Sequence, residues 1–171
     1  MKKILVFLLL LPFALWFTAS AQILTPLTWT WKTEQVGPGE YNLIFTAKIQ
    51  KGWHTYTQYM NAGDMASPIP TSLTFDTKNK DVKLIGKAKE SGTKPRTAAD
   101  PIFDNLVITS YEKDFTLVQR VKVLKDTRLT GMITTFSCRE GACVAPIDDE
   151  FTFVLKRSPG VKIEWEHPKG N

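Results

Sequence analysis

Three stretches of the chain alternate apolar and polar residues with a period of two. In EYNLIFTAKIQ, Tyr41, Leu43, Phe45, Ala47 and Ile49 fall on one side; Phe115, Leu117, Val121 and Val123 do so in DFTLVQRVKVL, and Phe151, Phe153 and Leu155 in EFTFVLK. Successive strand side chains point to opposite faces, so this spacing predicts strands with one face buried and one in water. Further strand candidates are LTWTWKT (27–33), TSLTFDT (71–77), DVKLIGK (81–87), LVITSYE (106–112) and LTGMITTFSC (129–138). Turn signals punctuate them: Gly37-Pro38-Gly39, Asn61-Ala62-Gly63-Asp64, Asn79-Lys80-Asp81 and Lys125-Asp126. Helical periodicity is nearly absent. About eight short strands without a helix predict an all-β fold, an immunoglobulin-like antiparallel β-sandwich. The segment GKAKESGTKPRTAADPIFD (86–104), rich in Gly, Pro, Lys and Ala, carries little periodicity and is expected to be a long loop of the kind that often bears function. The tail after Arg157 reads as a short strand, VKIEW, with a polar end.

The ends of the chain change the compartment. MKKILVFLLLLPFALWFTASA (1–21) has two lysines, an apolar run from Ile4 to Phe17 and a small-residue Ala19-Ser20-Ala21 site. That is the layout of a secretory signal, and the run is short for a membrane anchor. The mature protein is expected to begin near Gln22, with residues 22–171 forming one domain large enough for a real hydrophobic core. Removing Lys2 and Lys3 from the 22 Lys and Arg leaves 20 against 17 acidic residues, a net charge of +3. The basic residues are scattered among acids, as on a solvated face, so no nucleic-acid partner is expected.

The two cysteines, Cys138 and Cys143, are the only ones and sit in TTFSCREGACVAP. If the flanking segments are strands, Arg139-Glu140-Gly141-Ala142 is the hairpin loop and the cysteines oppose one another, with Cα atoms roughly 4.5–5.5 Å apart, within disulfide reach. Closing so small a loop contributes only ~2 kcal/mol by chain entropy. A turn position is also one that a partner protein can reach, which favours exchange over reinforcement, although hairpin disulfides also serve as staples in exported proteins. Arg139 would favour a thiolate and Glu140 would oppose it. A Cys2His2 zinc site would need paired histidines, whereas His54 and His167 are far apart in the chain. Copper(I) on the cysteines with His54, Met60 or Met65 is chemically conceivable, but methionines of this kind more often fill gaps. Neither a metal nor another cofactor is expected.

GWHTYTQYMNAGDMASPIPTSLTF, followed by SCREGACVAP, resembles the periplasmic N-terminal domain of the DsbD-type thiol:disulfide interchange proteins. The resemblance runs from about Leu27 to Leu155 and rests on Gly52-Trp53-His54-x-Tyr56, the Pro68-Ile69-Pro70-Thr71 turn, Asp100-Pro101-Ile102-Phe103, and the cysteine hairpin with Pro146 behind it. It implies a periplasmic immunoglobulin-like module, acting as a protein thiol–disulfide oxidoreductase, that relays reducing equivalents to thioredoxin-fold partners such as a disulfide isomerase or a cytochrome c maturation reductant. By the same resemblance Cys143 forms the mixed disulfide and Cys138 resolves it. Phe103 lies on a cap loop over the pair, and Tyr56 and His54 line the site. Read from the residues alone, Tyr56 also fits as a plain core aromatic with a hydrogen-bonded edge, the place of Phe103 in a Gly- and Pro-containing segment speaks against an ordinary core role, and His54 fits a structural role better than a catalytic one. Two departures from the family stand out. The best-known members place five residues between the cysteines and this chain places four. These 171 residues also hold no transmembrane electron carrier or thioredoxin-like domain, so a separate membrane donor is expected to supply the electrons in trans to a monomer. The alternative reading is an exported immunoglobulin-like binding module with a structural hairpin disulfide.

Overall fold

The computed structural model describes residues 24–60 and 67–157. The expected leader at 1–21, the 61–64 turn signal, Met65, His167 and the VKIEW segment lie outside the described residues. The strands are β1 (Leu27–Gly37), β2 (Glu40–Ile49), β3 (His54–Tyr56), β4 (Ser72–Phe75), β5 (Val82–Gly92), β6 (Arg96–Asp100), β7 (Leu106–Tyr111), β8 (Phe115–Val123), β9 (Thr127–Thr135), β10 (Ser137–Arg139), β11 (Ala142–Cys143) and β12 (Ile147–Leu155). They pair antiparallel in three sheets, ordered β1-β2-β8-β5, β12-β9-β4 and β11-β10-β3-β7-β6. The expected all-β, immunoglobulin-like sandwich is what the chain forms.

The alternation seen in sequence is the burial pattern. Leu43, Phe45, Ala47, Phe115, Leu117, Val121 and Val123 from the four-stranded sheet pack with Leu129, Ile133, Phe151, Phe153 and Leu155 from the three-stranded one in a continuous apolar cluster. Phe151 is its hub, with ring centroids 4.8 Å from Phe45, 5.4 Å from Phe75 and 5.7 Å from Phe153. Trp29 spans the sandwich, its Nε1 donating to Thr135 Oγ1 at 2.9 Å. Gly131 on β9 permits this packing. A Cβ there would overlap the Thr74 carbonyl oxygen and the Phe151 ring, well inside van der Waals contact.

The 86–104 segment is not a loop. Its first part continues β5, which pairs with β8 through a register shift between Ile85 and Lys89. Gln119, buried on the inward face of β8, turns its Nε2 to the carbonyls of Ile85 and Gly86 at that irregularity. The second part is β6, paired with β7 from Arg96↔Ser110 to Asp100↔Leu106. Both strands lie on sheet edges and are mostly exposed. Backbone hydrogen bonds hold them, so no hydrophobic alternation marks them in sequence.

Gly131→Ala is expected to lower unfolding stability by about 1–3 kcal/mol through overpacking. Denaturant titration checks this, with an unchanged m-value as the sign that the fold itself persists.

Candidate functional site

The cysteines sit at the tip of one long hairpin running from β9 to β12. Its arms are in register down to Thr135↔Ile147, and Val144 N donates to Ser137 O at 3.0 Å nearer the tip. Between these two points Phe136 alone faces Ala145 and Pro146. An extra residue on one arm, together with a proline that has no N–H to give, interrupts the ladder. The tip swings away there and pairs with β3 instead, through Ser137↔Thr55 and Cys138↔His54. Thr55 Oγ1 donates to Phe136 O at 2.9 Å and fastens the break. The strands expected over 129–138 and 143–155 are thus each split where the hairpin changes sheet.

Cys138 and Cys143 are bonded to one another, with Cα atoms 4.0 Å apart. Arg139 pairs with Ala142, so the turn is Glu140-Gly141 alone rather than the four-residue loop expected. The second turn position needs a positive φ, which Gly141 supplies at 71°. Flanked by the Arg139–Ala142 and Ser137–Val144 pairs, the cysteines occupy the close, non-hydrogen-bonded position of an antiparallel ladder, which draws their Cα atoms together. The two sulfurs are not equivalent. Cys138 is 0% exposed, whereas Cys143 is on the surface.

Cys138 is buried with Tyr56 and Ile108, and Met60, Phe103 and Phe136 pack against that cluster. Tyr56 stacks on Phe136 at 5.9 Å and meets the Phe103 ring edge-on at 6.0 Å. Phe103 ends a 3-10 turn, Pro101–Phe103, at the tip of the β6–β7 hairpin. Asp100 caps that turn, accepting from Ile102 N at 2.9 Å through Oδ1. Its Oδ2 faces Tyr56 Oη at 3.5 Å and His54 Nε2 at 3.6 Å, and His54 Nε2 lies 3.0 Å from Tyr56 Oη. One carboxylate thus ties the turn bearing Phe103 to the floor of the cysteine site. Burial pushes the His54 pKa down; the nearby Asp100 carboxylate pulls it up but is outweighed. Burial, reinforced by Asp100, holds the Tyr56 phenol well above its ordinary pKa, so it stays protonated.

The residues singled out in sequence, Cys138, Cys143, Phe103, Tyr56 and His54, therefore meet in one place. Ile108, Phe136 and the bridging role of Asp100 were not anticipated. Phe136 could have been noticed for its place two residues before Cys138; Ile108 lies in an ordinary strand and carries no local signal. Arg139 adds a contact of its own, its guanidinium carbon 5.0 Å from the centroid of the Trp53 ring. Among the described residues no group of three or more His, Cys, Asp or Glu side chains is arranged to hold a metal ion.

Fold and site together define an immunoglobulin-like β-sandwich with a surface hairpin disulfide. The family model for the N-terminal part of the thiol:disulfide interchange protein DsbD matches residues 25–155, and the chain belongs to that family. Thiol–disulfide exchange is accordingly the chemistry of the Cys138–Cys143 pair. Among solved structures, the N-terminal periplasmic domain of ScsB from Proteus mirabilis is similar with a TM-score of 0.50 and 14% identity, over 84% of this chain and 53% of that one. That likeness is one of fold, and this chain spans about half of that structure. The reduced N-terminal domain of DsbD from Neisseria meningitidis aligns with a TM-score of 0.44 and 19% identity, over 71% of this chain and 81% of that one. The complex between the DsbD and PilB N-terminal domains from the same organism aligns at 0.44 and 15%, over 83% of this chain and 89% of that one. No protein of curated function matches the chain in sequence.

Because the folded-state pKa of His54 lies below its ordinary 6.5, the folded protein binds fewer protons there than the unfolded chain does. The stability from a neutral His54 is present above that ordinary value and is lost as pH falls through the folded-state value. Unfolding free energy is expected to fall more steeply for wild type than for His54→Gln between about pH 7.5 and about pH 5. Denaturant melts across that range measure the difference, and parallel curves would refute it.

Proposed function

We propose that this chain is a periplasmic relay that passes reducing equivalents through Cys138 and Cys143 to thioredoxin-fold partners, such as a disulfide isomerase or a cytochrome c maturation reductant. Residues 1–21 are then a cleaved leader, residues 22–171 work as a single monomeric domain, and a separate membrane protein recharges the pair. The observation that carries this reading is the unequal exposure of the two bonded sulfurs.

In the reduced pair the Cys143 thiolate attacks one sulfur of a partner disulfide, and the other partner sulfur leaves as a thiolate that takes up a proton. Cys138, deprotonated in turn, attacks Cys143 Sγ and expels the first partner sulfur. The partner gains two electrons and two protons, and the pair returns to the disulfide. A donor dithiol reverses these steps, attacking Cys143 because Cys138 has no exposed surface. The 3-10 turn bearing Phe103 acts as a cap: its contact with Tyr56 shields the site, and it must move for a partner to dock. His54 and Tyr56 line the site as uncharged groups.

Cys138→Ser is expected to accumulate a mixed disulfide through Cys143, visible on non-reducing gels and by mass, while Cys143→Ser accumulates none and supports no partner reduction. A Cys138→Ser protein that traps no thioredoxin-fold partner, with loss of the pair costing only ~2 kcal/mol of stability, would leave a binding module with a staple. Phe103→Ala, by removing one edge-on aromatic contact from the cap, is expected to speed reduction of the disulfide by a small-molecule reductant about two- to tenfold. Stopped thiol-release assays follow that rate.

A further inference from the structure

Arg139 is exposed, but the Trp53 ring on which it stacks is only 4% exposed, so one side of the contact is fixed in the protein. Strand register produces the stack. Cys138 is paired with His54, so the next residue, Arg139, comes level with Trp53 one step beyond the last pair of β3 and β10. On its other side Arg139 pairs with Ala142, the first residue after the turn. The stack therefore pins the base of the turn to the rigid side of the site. Among the described residues the opposite side has no equivalent anchor: β11 is two exposed residues long and lies at the edge of its sheet. With the S–S bond broken, two cross-strand pairs and the Val144–Ser137 hydrogen bond hold Cys143 near Cys138 among the described residues.

We propose that Arg139 is a positioning residue for exchange: its stack on Trp53 keeps the reduced hairpin closed, so that the two thiols stay within bonding reach and the pair is a stronger reductant. The proposal rests on the exchange reading above. Forming the internal disulfide requires the turn to be closed, and a turn already held closed in the dithiol has less freedom left to lose. The charge of Arg139 acts in the opposite direction, because a cation beside a thiol favours the thiolate and hence the reduced form. A lysine keeps that charge and can still sit over the ring, whereas Trp53→Leu removes the ring and leaves the charge, which separates the two effects.

The test is the equilibrium of the protein with glutathione, in which the disulfide and two glutathione thiols give the dithiol and one glutathione disulfide. Loss of a cation–π contact of this kind in Arg139→Met is expected to shift that equilibrium toward the dithiol by about two- to fivefold, equivalent to a potential about 10–20 mV more positive. Arg139→Lys should stay closer to wild type, and in a Trp53→Leu background Arg139→Met should give no shift toward the dithiol, because only the loss of charge is left and it acts the other way. An equilibrium unchanged in Arg139→Met, or moved as far by Arg139→Lys, overturns the proposal even if thermal stability drops. Should the wild-type disulfide resist glutathione while folded, the exchange reading fails and the clamp falls with it. A wild type that equilibrates while Arg139→Met does not move removes the clamp alone.

Discussion

The structure depends on a single hairpin, Thr127 to Leu155, being anchored at its base and released at its tip. Leu129, Ile133, Phe151, Phe153 and Leu155 bury the base in the sandwich, and Gly131 lets Phe151 and β4 approach closely enough to fill it. At the tip, one residue, Phe136, opposes two, Ala145 and Pro146, and the ladder breaks. The cysteines are thereby carried on core strands but delivered to another sheet. A reactive pair mounted this way has the rigidity of the core behind it and the reach of a turn in front of it.

Sheet order then makes the two sulfurs different. In the sequence β11-β10-β3, Cys138 is on an inner strand and Cys143 on the edge. An inner strand is covered on both sides by neighbours, so Cys138 disappears beneath Tyr56, Ile108 and Phe136, while the edge leaves Cys143 open. The unequal exposure on which the proposed division of labour rests follows from strand position. Asp100 links the Phe103 turn to the same site: it shapes that turn with one carboxylate oxygen and faces His54 and Tyr56 with the other.

The sequence by itself determined the fold class and most of the site. Alternation at 41–49, 115–123 and 151–155 marks faces that water must leave, and the physics that buries them acts locally, two residues at a time. The spacing of the two cysteines and the resemblance in the Trp53–Tyr56 and Asp100–Phe103 segments brought Cys138, Cys143, His54, Tyr56 and Phe103 into view. What only the tertiary structure decided has a different origin. Segment 86–104 became two edge strands because backbone hydrogen bonding to β8 and β7 is blind to side-chain pattern. Ile108, Phe136 and the far side of Asp100 joined the site through pairings between residues distant in the chain. Which cysteine is hidden was settled by the order of strands in a sheet, a relation between neighbours in space that no local run of residues encodes.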